Sequence, residues 1–217
     1  DGYTVDTAAP ALAVDILDAS LNIADPVSQV SFSFTDAPVG FTLADITASG
    51  GTVSNLVQVD ATHYTATFTA TAGITAGGSV TVAPGSYTNA AGNPGTGGGD
   101  TVAIDTVAPV PTITLATSVT ADDIVNAAEA AGTVTITGSV GGDAKAGDIV
   151  TLTVNGTTYT GAVGAGRTFA IPVTGSDLAN DPDRTIEASV TTVDAAGNPA
   201  TASTSDSYTV DTSAPAL

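Results

Sequence analysis

The 217-residue sequence has no cysteine, no tryptophan, one histidine, and only 3 basic residues against 22 acidic ones. Without cysteine, neither a disulfide framework nor a thiolate metal site can form. The basic deficit leaves a formal net charge of -19. That charge excludes nucleic acid as a partner, because phosphate contacts require Lys and Arg, and it disfavours anionic membrane surfaces for the same reason. With His63 alone, a histidine-dependent triad would have to run through one strand residue, and a three-histidine zinc site is impossible. A carboxylate-pair glycosidase would need a cleft with aromatic platforms, and there is no tryptophan to build one. The sequence therefore predicts no enzyme. No apolar run approaches ~18 residues and no basic-then-apolar leader stands at Asp1, so neither a membrane span nor a signal peptide is expected within these residues.

What is present is small and β-favouring. Hydrophobic residues make up 42% of the chain and aromatics 5%, so a core has to be assembled from Val, Ile, Leu, Ala and a few Phe or Tyr. Alternating Val/Ile/Thr runs can bury enough apolar area to offset the ordering entropy, which argues against disorder. Of the acids, 20 are Asp and 2 are Glu, a balance that suits loops and hard-cation ligation better than a charged helix face.

Internal repetition sets the organisation. Tyr3-Thr-Val-Asp-Thr-Ala-Ala-Pro-Ala-Leu12 returns as Tyr208-Thr-Val-Asp-Thr-Ser-Ala-Pro-Ala-Leu217, and a third copy, Val102-Ala-Ile-Asp-Thr-Val-Ala-Pro109, lies between them. The shared aspartates Asp6, Asp105 and Asp211 are 99 and 106 residues apart, the size of a β-sandwich domain. Two units are expected, residues 1–104 and 105–210, with residues 1–5 the tail of a preceding repeat and 211–217 the head of a following one. Asn89-Ala-Ala-Gly-Asn-Pro94 and Asp194-Ala-Ala-Gly-Asn-Pro199 repeat in the same phase. More loosely, Asp18-x3-Asn22-x2-Asp25 matches Asp122-x3-Asn126-x2-Glu129, each ahead of an apolar strand.

Between these marks the pattern is period-2 alternation punctuated by Gly, Asn, Asp and Pro. In the first unit strands are expected near residues 12–17, 29–35, 45–48, 52–59, 63–71, 79–83 (running on to Thr88) and 101–105. In the second they fall near 111–117, 133–140, 149–154, 157–163, 167–173, 185–194 and 208–211. Asn155-Gly156 is a type I′ hairpin signal, and only residues 121–131 could form a helical turn. Seven short strands per unit predict an all-β fold of two tandem immunoglobulin-like β-sandwiches. An odd strand number places the termini at opposite ends, so such units would join into an elongated rod.

The D-T-x-A-P junctions, the [DN]-A-A-G-N-P loops, and Gly40-Phe-Thr-Leu-Ala-Asp-Ile-Thr47 followed by Gly50-Gly51 resemble bacterial Ig-like repeats. Such repeats fill the extender regions of giant biofilm-associated and repeats-in-toxin surface adhesins exported by type I secretion. The second unit, with Asp122-Asp-Ile-Val-Asn-Ala-Ala-Glu129 and Ser176-Asp-Leu-Ala179, resembles another repeat type of the same proteins. The resemblance implies an extracellular, cell-surface location, neighbouring repeats of the same polypeptide as partners, a monomer, and Ca²⁺ at the domain junctions.

Sandwich topology makes a placement independent of that resemblance. The A–B loop of unit one (Asp18, Asn22, Asp25), the linker Asp105 and the F–G loop of unit two (Asp194, Asn198) are expected to converge. Ca²⁺ accepts six to eight oxygen ligands in irregular geometry. Two carboxylates about 4 Å apart repel by about 4 kcal/mol at an effective dielectric near 20, and few basic residues are available to neutralise them. By repetition the candidate ligands extend to Asp6, Asn89, Asn93, Asp122, Asp123, Glu129 and Asp211. The competing reading is that Asp and Asn cap turns through their own side chains, with Asn93 and Asn198 in left-handed positions. The spacing is not that of an EF-hand.

Other residues carry less. Asp177, Asp181 and Asp183 could hold an ion, but adjacent Arg184 favours a salt-bridged turn. His63 alternates with Tyr64, Ala66 and Phe68 and is expected to face solvent. The Gly-rich loop around Lys145 lacks the Ser/Thr and helix of a phosphate loop. The leading expectation is a non-catalytic, calcium-stiffened extender of a bacterial adhesin. The alternative is a module that recognises a glycan or host protein, which would present exposed aromatics.

Overall fold

A computed structural model describes residues 2–3 and 5–214. The fold is all-β, in two compact units that divide between Val107 and Ala108.

The first unit runs β1 (Leu12–Ile16), β2 (Ser20–Asn22), β3 (Val27–Phe34), a 3-10 turn (Leu43–Asp45), β4 (Ile46–Ser49), β5 (Gly51–Gln58), β6 (His63–Ala70), β7 (Thr75–Val82) and β8 (Gly98–Asp105). Its two sheets have the orders β1-β3-β6-β5 and β2-β8-β7-β4, the two-sheet arrangement of an immunoglobulin constant-type sandwich. Alternation drives the packing. In β3, Val30, Phe32 and Phe34 point inward, and in β6 Ala66 and Phe68 meet them across the sheet. Phe34, Phe41, Tyr64 and Tyr87 form an edge-to-face cluster with ring centroids 5.0 to 6.1 Å apart, an arrangement worth about 0.5–1.5 kcal/mol per pair beyond area burial. The Tyr87 hydroxyl donates to the Pro10 carbonyl. Its ring lies over Gly95, where a Cβ would stand 2.2 Å from the ring, so only glycine fits there.

The second unit runs β9 (Pro111–Leu115), β10 (Ile124–Asn126), α1 (Ala127–Ala130), β11 (Thr133–Gly142), β12 (Ile149–Val154), β13 (Thr157–Ala162), β14 (Thr168–Thr174), α2 (Gly175–Asn180), β15 (Thr185–Val193), β16 (Pro199–Ser207) and β17 (Thr209–Asp211). The sheets are β14-β11-β9 and β13-β12-β15-β16, with the short pair β10-β17. Here the strand after β12 stays in its sheet as a hairpin, turning at Asn155 (φ 51) and Gly156 (φ 73), the type I′ geometry that Asn-Gly favours. In the first unit the corresponding strand, β5, crosses to the opposite sheet. Edges are protected: β5 carries a bulge at Asn55, and edge strand β14 contains Pro172. Both devices discourage pairing with another chain.

The seven strands expected in the first unit are all present with small end shifts, except that β7 stops at Val82 and does not run on to Thr88. Pro84 removes a donor there, and Thr88 instead makes isolated bridges to Val39 and Pro94. Three strands and one helix were not expected. β2 and β10 are three residues each, with a single buried side chain, Leu21 or Val125. β16 pairs with β15 over nine positions, yet turns Ala200, Ala202, Thr204 and Asp206 toward the interior side, so it carries no hydrophobic signal. Helix α2 occupies the segment expected as a salt-bridged turn.

Candidate metal centres

Each D-T-x junction folds identically at its aspartate. Asp6 Oδ1 accepts from the Ala8 amide at 2.9 Å, Asp105 Oδ1 from the Val107 amide at 3.2 Å, and Asp211 Oδ1 from the Ser213 amide at 3.0 Å. These are Asx turns. Asp105 Oδ1 also accepts from Thr75 Oγ1 at 2.9 Å, and Asp211 Oδ1 from Ser213 Oγ at 2.5 Å. The Ser213 bonds, side chain first and then backbone, hold the Asp211 carboxyl below the ordinary aspartate value.

The A-A-G-N-P loops also match each other. Asn89 Oδ1 accepts from the amides of Ala91 and Asn93, and Asp194 Oδ1 from those of Ala196 and Asn198, at 2.8 to 3.1 Å. Backbone bonds Asn89 N to Asn93 O and Asp194 N to Asn198 O close both loops. The left-handed residues are Gly92 (φ 87) and Gly197 (φ 89), not Asn93 and Asn198 as the turn reading had it. One atom differs between the loops. Asn89 Nδ2 donates to Asp6 Oδ2 at 2.8 Å, and Asn93 Nδ2 to the Asp6 carbonyl at 3.0 Å. Asp194 has no side-chain amide to donate; its Oδ2 accepts from Asn198 Nδ2 at 2.9 Å. That bond, with the loop amides, lowers the Asp194 pKa.

The looser repeat, D-x3-N-x2-[DE], has a structural basis in both units. Strand β2 pairs in parallel with β8, placing Asn22 opposite Asp105, and β10 pairs in parallel with β17, placing Asn126 opposite Asp211. The amide oxygen of Asn22 caps the turn by accepting from Ala24 N and Asp25 N, both at 2.9 Å. Asn126 Oδ1 accepts from Ala128 N and Glu129 N, while the Asn126 backbone N–H donates to Glu129 Oε2, a complete capping box at the start of α1. Asp122 Oδ1 accepts from Thr120 Oγ1 and Ile124 N, and Asp123 Oδ1 from Val119 N. The backbone amide of Asp18 donates to Ser28 Oγ.

Within the first unit, then, Asn22 and Asp105 come together in register, with Asp25 tied to Asn22, and Asp6 comes together with Asn89 and Asn93. Within the second, Asn126 joins Asp211 and Glu129, and Asp194 joins Asn198. Among the described residues no three Asp, Glu or His side chains gather into a group able to hold a metal. The donor set is carboxylate and amide oxygen throughout, the chemistry Ca²⁺ takes. A carboxylate has about four lone-pair sites, and at Asp211 two of them are taken, both at Oδ1, by the Ser213 amide and hydroxyl.

The remaining acids are placed otherwise. Asp177 accepts from the Tyr159 hydroxyl and Asp181 from that of Tyr208. Arg184 donates to the carbonyls of Leu178 and Ala179 at the end of α2; a cation there satisfies helix C-terminal carbonyls. This replaces the expected salt bridge. His63 is exposed and bonded to Asp60. Lys145 donates to Thr192 Oγ1 and the Val193 carbonyl. Sequence reasoning passed over Asp100, whose Oδ2 accepts from the Ile16 amide at 2.8 Å and so holds β1 against β8. It also passed over the buried hydroxyl of Tyr208, which donates to the Leu178 carbonyl at 2.8 Å. Buried tyrosine near a repeated Asp was the available signal for the second.

A family profile described as a bacterial Ig-like domain matches residues 6–106. Among solved structures, a Ca²⁺-stabilized adhesin that helps an Antarctic bacterium reach out and bind ice is 34% identical over 96% of this chain, with a TM-score of 0.69. The chain spans about half, 51%, of that structure's length. A structure from a 1.5-MDa bacterial ice-binding adhesin is 32% identical over 96% of this chain and 67% of its own, with a TM-score of 0.57. A bacterial immunoglobulin-like domain of the M. primoryensis ice-binding adhesin is 46% identical over 48% of this chain and 98% of its own, with a TM-score of 0.43. No curated protein matches.

Proposed function

The chain belongs to the bacterial immunoglobulin-like domain family, and we propose that it is a non-catalytic extender segment of a bacterial surface adhesin, with calcium as its structural ion. Similarity to adhesin segments over 96% of the chain supports the adhesin role. No helix among the described residues is long and apolar enough to cross a membrane. The extracellular, cell-surface position rests on the similarity to adhesins.

The observation that carries the calcium reading is the repeated register pair, Asn22 with Asp105 and Asn126 with Asp211. In each unit it sets a hard-oxygen pair at the point where the last strand leaves the sandwich. Asn22, Asp25 and Asp105 would hold the ion in the first unit, and Asn126, Glu129 and Asp211 in the second, with Asp18, Asp122 and Asp123 nearby in sequence. Asp6, Asn89 and Asn93, and Asp194 with Asn198, form the second donor set. Bound there, calcium neutralises carboxylates that few cations on the chain could offset and restricts the linkers after Asp105 and Asp211. Repeats-in-toxin type export and a biofilm role follow from the same resemblance, as does a monomeric chain whose partners are neighbouring units.

Glycan or host-protein recognition by this segment is the weaker reading. Phe68, Tyr87 and Tyr208 are buried, Tyr64 packs against Phe34 and Phe41, and Tyr159 is bonded to Asp177, which leaves few aromatic faces for a sugar. Calorimetric titration of the 217-residue chain with CaCl₂, repeated with MgCl₂, tests the calcium reading. Saturable calcium heat that Asp105→Ala and Asp211→Ala reduce is expected, with magnesium weaker because it demands near-octahedral geometry. No heat, together with an unchanged melting temperature in calcium and in chelator, would overturn it.

A further inference from the structure

One asparagine stands apart from the other seven. Asn155 is the one that glycine follows; Asn93 and Asn198 precede proline, Asn22 precedes isoleucine, and the rest precede Leu, Ala or Asp. The following residue decides a reaction open to asparagine side chains in general, in which the next backbone N–H attacks the side-chain carbonyl carbon. Proline has no N–H with which to attack, and glycine, lacking a Cβ, approaches with the least hindrance and the most backbone freedom. Hydrogen bonding sorts the same residues. Asn22 and Asn126 each hold two backbone amides on Oδ1, and Asn89 is bonded at both side-chain polar atoms. Asn155 is exposed at the tip of the β12–β13 hairpin, and among the described residues neither its carboxamide nor the Gly156 amide takes part in a hydrogen bond.

We propose that Asn155 is the site at which this chain deamidates. The Gly156 nitrogen gives its proton to solvent base and bonds to Asn155 Cγ, the Cγ–Nδ2 bond breaks, and ammonia leaves, closing a cyclic imide. Water then opens the ring on either side. Cleavage of the new N–Cγ bond leaves aspartate, and cleavage between that nitrogen and the Asn155 main-chain carbonyl carbon leaves isoaspartate, with the main chain rerouted through the side chain. The sum is amide plus water to carboxylic acid plus ammonia, with nothing oxidised or reduced. In the closed type I′ turn, with Asn155 at φ 51 and Gly156 at φ 73, the Gly156 nitrogen points away from the Asn155 side chain, so attack occurs when the tip opens. Two features favour opening: no side-chain hydrogen bond among the described residues crosses the tip, and β13 has β12 as its single sheet partner. The two products differ in effect. Asp-Gly suits a type I′ turn as Asn-Gly does, whereas isoaspartate adds a main-chain atom to a two-residue loop that has no slack between the paired Val154 and Thr157. Val154 is fully buried, so the misfit passes directly to the core. Asn93 and Asn198, in the two A-A-G-N-P loops, are spared by the prolines that follow them.

The test incubates the folded 217-residue chain in mildly alkaline buffer, with a mildly acidic sample as reference, and then cuts it with trypsin. The three basic residues, Lys145, Arg167 and Arg184, divide the chain into four peptides, and peptide 146–167 carries Asn155 as its sole amide side chain. That peptide is expected to gain the mass of amide-to-acid conversion and to split into two chromatographic species, the aspartyl and isoaspartyl forms. Peptides 1–145, 168–184 and 185–217, which hold the other asparagines, should remain unconverted over the same period. The melting transition of the second unit should fall as the isoaspartyl form accumulates. Asn155→Gly removes the reacting carbon while Gly-Gly still suits the turn, so its transition should be unchanged by incubation, and Asn155→Asp should begin at the parent value. An unconverted peptide 146–167, or acid appearing as quickly in any other peptide, would overturn the assignment of the site. An equal fall of the transition in the parent and in Asn155→Gly would overturn the link between the hairpin tip and stability.

Discussion

Replacing Asn126 separates turn-capping from metal ligation at one residue. Its side-chain oxygen accepts two helix amides, from Ala128 at 2.9 Å and Glu129 at 3.1 Å, and Glu129 completes the box at 2.9 Å. Losing an Asn cap to Ala costs about 1 kcal/mol, within a range of about 0.5–2. The exposed site lets water satisfy the freed amides, which keeps the cost within that range. For a domain of this size, 1 kcal/mol corresponds to a fall of roughly 4–8 °C in Tm. In chelator, Asn126→Ala should therefore lower the second unit's transition by about that amount, and Asn126→Asp should leave it near the parent, because Asp caps as well as Asn. Calcium adds a second contribution, RT ln(1 + [L]/Kd), about 2.7 kcal/mol at a hundredfold excess over Kd. With calcium present, the gap between Asn126→Ala and Asn126→Asp should widen, since one removes a ligand oxygen and the other supplies a carboxylate. Differential scanning calorimetry of the three chains in chelator and in calcium reads both effects. A gap that is identical in the two conditions would refute ligation at Asn126, and no loss in chelator would refute the cap.

Further outcomes follow from single contacts. Asp194→Asn should leave the second loop intact and shift stability by less than about 0.5 kcal/mol in chelator, because Asn89 makes the same two amide bonds in the first unit; a large loss by urea denaturation would contradict the equivalence. Leu21→Ala should cost about 2–5 kcal/mol, since Leu21 is fully buried on a strand of only three residues; a loss below 1 kcal/mol would mean β2 does not pack as described. Gly95→Ala should cost about 1–3 kcal/mol through overpacking against the Tyr87 ring, and a neutral result would refute that close approach. The Asp60 carboxyl is lowered to about 2, first by the Thr62 backbone N–H and then by the His63 side chain. A depressed folded value means its contribution is full above the unfolded value of about 3.9 and is lost as pH falls through about 2; an NMR titration with a midpoint near 4 would exclude the contact.

The strands legible in the sequence were those whose inward side chains are large. β3, β6 and β12 alternate Val, Phe or Leu with Thr and Ser, and that contrast is the period-2 signal itself. β16 alternates half-buried with exposed positions and fills the half-buried ones with Ala, Thr and Asp, so its strand state comes from nine register pairs with β15 and not from its own composition. β2 and β10 are too short for a period, and their parallel partners lie about 80 residues away, beyond any local rule. At the candidate site the repeated motifs located the residues, and the turn chemistry of Asp and Asn accounts for most of their hydrogen bonds. What repetition alone did not reveal is that Asn89 and Asp194, equivalent by position, differ in the hydrogen bond their second atom can make.

The parallel pairing of β2 with β8, and of β10 with β17, also governs how each unit responds to tension. In both, an early segment and the terminal segment lie side by side in the same direction, joined over three register positions. Pulling a unit by its two ends drags these strands past one another along their length, so the hydrogen bonds between them are loaded together in shear. An antiparallel pair pulled from one end would unzip, breaking one bond at a time. A Leu21 or Val125 anchored in the core at the middle of each short strand resists that sliding, so the three-residue strands least visible in the sequence are the ones that carry mechanical load.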